Sequence, residues 1–316
     1  YGPVVSLVCD GILGGVGSVL SFLPQIMILF FFLSILEDSG YMSRVAYVMD
    51  GLMGKIGLSG RAFIPMLLGF GCTVPAVMAS RALEDKRDRL KTIFITPFMS
   101  CSARLPVYLL LSQMFFGSFA GIAAFSMYVI GLIMAIVVAL IVSKFTKKYE
   151  THTLLIELPE YKTPNAHTIF IYVWDKIKDY LTKAGTTIFL ASIVLWFLLN
   201  FGTSGLVSDM SESFAASIAK FLVPVMTPTG LGYWQIIVAL ISGIAAKEVV
   251  VSSMSVLYGI GNISSAEGMT ALSGALGEVG FTSANAYAMM IFVLLYIPCI
   301  ATIATIKRES GSVRFT

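Results

Sequence analysis

The run Gly69-Phe70-Gly71-Cys72-Thr73-Val74-Pro75-Ala76 decides how this chain is read. It is apolar enough for a membrane interior, yet two glycines and a proline surround its cysteine and oppose a regular helix. A second run repeats the arrangement: Pro97-Phe98-Met99-Ser100-Cys101-Ser102-Ala103-Arg104-Leu105-Pro106. A spanning helix satisfies its own backbone hydrogen bonds. A break at membrane depth is tolerated only where the freed groups are buried in protein or line a cavity. Two interrupted segments, each with a soft thiol ligand, therefore predict a binding site for a permeating cation.

The composition around these runs agrees. The 316 residues are 57% hydrophobic and 12% charged, with a mean hydropathy of +0.87. Soluble domains carry roughly 25% charged residues. The apolar stretches 119–143, 187–201, 234–258 and 287–306 read as membrane segments, for which about 20 apolar residues are needed. The fold class is all-α: a polytopic transmembrane helix bundle of seven or eight hydrophobic segments. The formal net charge of +3 is spread over loops and offers no nucleic-acid surface. Cys9, Cys72, Cys101 and Cys299 all lie in apolar segments without CxxC spacing, which argues against a disulfide framework or a structural zinc site.

Lysine and arginine collect on the cytoplasmic side of membrane proteins. Residues 81–91 hold five basic side chains, residues 144–183 hold seven lysines, and Lys307 and Arg308 follow the last apolar run. All three are assigned to one side. Residues 202–230 and 259–285 are polar, with only Lys220 between them, and are assigned to the other. The apolar run 234–258 then starts and ends on the same side. It must be a re-entrant hairpin turning near Gly243 and Lys247-Glu248. Residues 169–180 alternate apolar and charged positions at helical spacing and predict an interfacial helix. Pro24 is expected to open a helix over 25–36, and 39–61 is read as a polar connection.

The two halves resemble each other. Phe94 to Cys101 matches Phe292 to Cys299 in spacing, and each is preceded by a glycine-containing apolar segment, 69–80 and 243–253. Paired repeats with corresponding interrupted segments are common in transporters. Three regions are therefore expected: a first membrane half over 1–143, a cytoplasmic connection over 144–186, and a second membrane half over 187–316.

Thiolate and thioether ligands favour Cu(I), Zn(II) and iron, whereas oxygen-only cages favour Mg and Ca. Sulfur mixed with unwound carbonyls and carboxylates suits a borderline ion such as Fe(II). The predicted metal set is Cys72, Cys101, Cys299, Glu248 and Met99, with Glu37 and Asp38 as secondary candidates. Glu248 is included because ionisable groups inside a membrane are costly and mark ion pathways. His152 and His167 lie in the polar connection, Asp10 is a weaker candidate, and Arg104 is read as structural. No GxxxxGK[ST] loop, nucleophile elbow or HExxH is present, so no enzyme site is expected.

GFGCTVPAVMASRALEDKRDRL (69–90) and TPFMSCSARLPVY (96–108) resemble the membrane signatures of the ferrous iron transport protein B (FeoB) family. Similar agreement is found in residues 22–50, in GIAAKEVVVSSMSVLYG (243–259) and in PCIATIATIKRESGS (298–312). The resemblance implies a bacterial cytoplasmic-membrane importer of Fe(II), with two gate-type repeats akin to those of nucleoside transporters. It also implies that Cys72 and Cys101 line the iron path, with Cys299 in the second gate region. GTP and Mg2+ belong to a G domain that this chain lacks, so the chain is expected to be a fragment short of terminal spanning helices. FeoA and FeoC are the implied protein partners, beside Fe2+, membrane lipid and a possible second copy of the chain. The rival readings are a gate-type transporter of an organic solute such as a nucleoside, and a membrane scaffold without transport.

Overall fold

The computed structural model describes residues 14–145, 161–202, 205–207, 210–260 and 265–311. Cys9, Asp10 and His152 lie outside the described residues. The described chain is helical apart from a two-residue antiparallel pairing, β1 (Phe201–Gly202) with β2 (Gly205–Leu206). It divides into two units, described separately below.

The first unit comprises Val16–Cys101, Leu132–Thr187 and Ala301–Thr316. It begins with α1 (Gly14–Asp38) and α2 (Tyr41–Lys55), which meet at 81° across Gly40, a glycine at φ 78°. That left-handed conformation favours glycine because a Cβ would clash. Pro24 does not open a helix as the sequence predicted: it sits inside α1. Its ring removes one hydrogen bond, and α1 continues on either side. The stretch read as a polar connection holds α2, whose Met42, Ala46 and Met53 are buried.

Two short helices follow, α3 (Phe63–Gly69) and α4 (Thr73–Ala79), then α5 (Lys86–Ile95). At 1.5 Å per residue, α3 and α4 are each about 10 Å long, far short of the ~30 Å hydrocarbon core. They pack against each other as a helical hairpin. Pro75 falls in the first turn of α4, where its missing N–H breaks no helical bond. Val77, Ile93 and Ile306 pack together, and Met66, Ile95, Met99, Ala135 and Ala139 form the larger core of the unit.

The second unit comprises Tyr1–Gly15, Ser102–Gly131 and Ile188–Ile300. Here α6 (Leu105–Phe116) packs against α13 (Ala266–Glu278) and α14 (Ser283–Leu295). The segments 202–230 and 259–285, read from sequence as polar connections, contain α10 (Phe214–Met226) and α13. In α10, alanines 215, 216 and 219 give the buried face, and the exposed Ile218, Phe221 and Val225 give the other. The run 234–258 is two helices, α11 (Trp234–Ala245) and α12 (Val249–Leu257), packed as a second hairpin. This is the re-entrant form that the charge distribution required.

Three further helices complete the chain: α7 (Ala120–Phe145), α8 (Ala166–Tyr180) and α9 (Thr186–Asn200). The division between units falls inside α7, at Gly131. Along α7 most buried positions are small, Ala123, Ala124, Gly131, Ala135 and Ala139, with Met127 the one large buried side chain, while Ile122, Phe125, Ile133 and Ile141 are exposed. Large apolar groups outward and small ones inward is the pattern of helices packed in lipid. α8 is the amphipathic helix expected at the interface. The last apolar run is not one helix: α14 ends at Leu295 and α15 (Ile300–Ser310) restarts after a gap.

The basic segments assigned to one side contribute to one cluster in the first unit. Glu309 on α15 is 2% exposed at its side chain and accepts hydrogen bonds from both Arg81 and Arg89, the latter at 2.9 Å. The bond to Glu309 raises the Arg81 pKa above its ordinary value. The cluster ties α15 to the chain just beyond α4. Removing one partner of a buried pair costs about 3–5 kcal/mol, and partial solvation of both arginines reduces this. Glu309→Ala is expected to destabilise the folded protein toward the low end of that range, and Glu309→Asp by less. Thermal unfolding in detergent checks it, and an unchanged midpoint for Glu309→Ala would refute it.

Candidate functional site

Among the described residues, four helix breaks fall in the two hairpins and the segments they press on, and three of these carry a cysteine. Between α3 and α4, residues 70–72 leave the helix, and Cys72 is extended at φ −149°, ψ 131°. Between α11 and α12 the chain leaves the helix at Ala246, with φ −150°, ψ 134°. The two hairpins thus turn on residues of nearly identical conformation. A break over 99–101 contains Cys101 and precedes a short 3-10 turn, Ser102–Arg104, that leads into α6. Its counterpart, 296–299, ends in Cys299 and leads into α15. The repeat suspected from the Phe-to-Cys spacing is therefore present in the backbone.

Proline and glycine produce these breaks by different means. Pro97 and Pro106 sit at helix starts, and Pro298 lies in the 296–299 break. Residues preceding proline are biased away from the helical region. The glycines instead permit close approach. A Cβ on Gly69 would lie 2.9 Å from Met99 Cβ, so the first hairpin presses directly on the Cys101 break. A Cβ on Gly243 would collide with Val250 and with the Tyr296 hydroxyl, so the second hairpin presses on the Cys299 break in the same way.

Cys72, Cys101 and Cys299 are half-buried and outside any disulfide. Met99 is fully buried in the core of its unit against Gly69. Of the adjacent charges in the second hairpin, Glu248 is half-buried at the start of α12, whereas Lys247 is 2% exposed. Lys247 Nζ donates to Ile297 O at 2.6 Å and lies 3.2 Å from the centre of the Tyr296 ring. Lys247 reaches the unwound Cys299 segment, and Glu248, weighed from sequence as the residue turned to the cavity, stands beside it at the start of α12. Arg104, read as structural, is 2% exposed at the start of α6.

The secondary candidates are engaged by the α8 segment. Asp38 accepts from Asn165 N at 2.8 Å. Glu37 accepts from the Tyr172 hydroxyl, whose pKa burial and that carboxylate push upward. Both acids anchor the end of α1 against the interfacial helix. Among the described residues no three His, Cys, Asp or Glu side chains converge on one point. A separate recess of about 230 Å3 in the first unit is lined by Phe30, Pro75, Arg81, Lys176, Asp179 and Glu309 among others.

Sequence reasoning missed the Arg81–Arg89–Glu309 cluster and the Lys247–Ile297 bond. Both join residues distant in the chain, and Glu309 looked like part of a charged tail. The isolated Lys247 in a long apolar run was the one available signal.

Two helical hairpins with unwound turns, each pressing on a second broken helix, in a chain whose described residues are nearly all helical and expose many large apolar side chains, define a gate-type membrane protein. A family model described as "Nucleoside recognition" (Gate) matches residues 19–115 and 181–313. A second, "Ferrous iron transport protein B C terminus", matches residues 124–176. The chain belongs to the ferrous iron transport protein B family and carries its gate domains. Among its relatives, an "Fe(2+) transporter FeoB" of Staphylococcus aureus (strain COL) is 45% identical over 98% of this chain and 46% of its own length. That of Methanocaldococcus jannaschii is 42% identical over 98% and 46%. That of Campylobacter jejuni is 42% identical over 99% and 52%. The chain thus spans about half the length of the curated relatives it matches. No solved structure matches it.

The glycine contacts make a direct prediction. Overfilling a packed site costs about 1–3 kcal/mol. Gly69→Val and Gly243→Val are each expected to destabilise the fold by that much and so lower the unfolding midpoint. Gly274→Val, at a glycine with open space around it, serves as control. Equal midpoints for all three would show that hairpin contact is not what holds the breaks.

Proposed function

We propose that this chain forms the membrane permease of a ferrous iron importer, moving Fe(II) across a bacterial cytoplasmic membrane. The observation that carries the reading is Cys72: a half-buried thiol on extended backbone at the turn of a hairpin too short to cross a bilayer. The relatives' printed name, "Fe(2+) transporter", supports iron as cargo over an organic solute.

In this reading Fe(II) arrives hydrated and exchanges part of its water for the sulfurs of Cys72 and Cys101. Backbone carbonyls freed at the breaks complete the shell with the remaining water. Cys299 and Glu248 serve the second gate, and Met99 holds the Cys101 break in place from behind. A site with few protein ligands suits transport, because cargo must leave as well as bind. Movement of the hairpins relative to the breaks they press on opens the path. The chain itself carries no catalytic chemistry. GTP and Mg2+ act in a separate G domain that drives this movement.

FeoA is the first protein partner to test, since one relative, from Porphyromonas gingivalis, is an "Fe(2+) transport protein A/Fe(2+) transporter FeoB fusion protein". The basic cluster around Arg81, Arg89 and Lys307-Arg308 is assigned to the cytoplasmic face, where lysine and arginine accumulate.

The test uses the complete gene product in cells lacking other iron importers. Cys72→Ser with Cys101→Ser is expected to bring radioactive Fe(II) uptake to background, with membrane abundance and unfolding midpoint unchanged. Undiminished uptake by the double variant would remove these cysteines from the path.

A further inference from the structure

The second gate already holds a cation of its own. Lys247 lies in the break between α11 and α12, and its ammonium meets the carbonyl of Ile297 at 2.6 Å and the face of Tyr296 at 3.2 Å. Ile297 and Tyr296 belong to the unwound segment that ends in Cys299. A carbonyl oxygen freed from helical bonding, beside an aromatic face, is a cation-binding surface. With the side chain 2% exposed, water does not compete strongly for the ammonium. Gly243 makes the arrangement possible, because any side chain there would drive Tyr296 away.

The internal repeat sharpens the point. Ala246 and Cys72 hold equivalent positions in the two hairpins, so Lys247 corresponds to Thr73. The spacing from Phe94 to Cys101 and from Phe292 to Cys299 makes Met99 the counterpart of Ile297. One hairpin therefore offers a neutral threonine next to its unwound residue, and the other a fixed positive charge. Two copies of one motif thus differ by one fixed positive charge.

We propose that Lys247 is a tethered surrogate for the cargo: its ammonium occupies the place on the unwound 296–299 backbone that a permeating divalent cation would take. An ion reaching Cys299 must displace the ammonium from Ile297 O, and an empty path keeps the segment closed on Lys247. Lys247 is thus a positioning and specificity residue of the second gate. A monovalent or weakly bound ion does not repay the loss of the ammonium's contacts, whereas a divalent ion with a thiolate ligand does. This inference rests on the permease reading, and the experiment separates the two.

The experiment uses the complete gene product in detergent, with Co(II) as an air-stable probe. Each cysteine is alkylated by a small membrane-permeant maleimide at increasing Co(II) and quantified by peptide mass spectrometry. Lys247→Met, which keeps length without charge, is expected to show Co(II) protection of Cys299 at a concentration at least about tenfold below wild type, the scale of one lost charged hydrogen bond. Lys247→Arg should retain wild-type behaviour. Tyr296→Leu, which removes the ring face, should shift in the same direction as Lys247→Met. Equal midpoints in wild type and Lys247→Met would overturn the proposal.

A measurement on the unaltered protein guards against variants that fail to fold. Reductive methylation of Lys247 should be slow without metal and accelerate with Co(II), as the ammonium is released. Methylation of Lys247 that Co(II) leaves unchanged would also overturn the proposal. Protection of Cys72 by Co(II) reports on the permease reading itself. If Cys72 is protected and Lys247 does not respond, only this inference fails. If Cys72 is never protected, the underlying site assignment fails first.

Discussion

A lipid bilayer offers no hydrogen bonds, and every structural choice in this chain answers to that constraint. Fifteen α-helices satisfy most of the backbone among the described residues. The four breaks, at 70–72, 99–101, 246–248 and 296–299, are where it is released. Each hairpin is braced by a neighbouring break, through Gly69 on Met99 in one unit and Gly243 on Tyr296 in the other. The glycine side of each contact allows helix and unwound strand to approach within van der Waals distance. The same glycine contacts that pack each hairpin therefore also hold the unwound segment against it.

Charge is used sparingly and with partners. Glu309 sits between two arginines at the end of α15, fastening the segment that follows the Cys299 break to the chain that follows the Cys72 hairpin. Lys247 meets a carbonyl and an aromatic face. Burying either charge without such contacts would cost several kcal/mol. Both stand at the ends and turns of the broken helices, where they hold unwound or terminal segments to their neighbours.

Much of this was legible in the one-dimensional pattern. Hydropathy alone separates the chain from soluble proteins, and Gly-Cys-Thr-Val-Pro marks an unwound turn because glycine and proline act locally. The re-entrant hairpin at 234–258 followed from counting lysines and arginines on either side of it. The Phe-to-Cys spacing anticipated a repeat whose backbone conformations agree to a few degrees at Cys72 and Ala246. Helices α2 and α13 were missed because their polar residues hide the period in a hydropathy scan, and α10 because Pro224, read as a breaker, stands inside it. Pro24 was read as a helix start because proline is locally permitted there, yet surrounding packing carries the helix through it.

Local chemistry, then, determined that the protein lives in a membrane, where its helices break, and which thiols stand at the breaks. Periodicity, glycine and proline act within a few residues, so no partner needs to be known. Tertiary structure alone decided which side chain faces each break. It buried Met99 in a core, turned Glu37 and Asp38 to the α8 segment, and set Lys247 on the Cys299 segment. Those outcomes depend on contacts between residues 30 to 135 positions apart, and adjacent residues on an unwound turn point in different directions for reasons that only their neighbours supply.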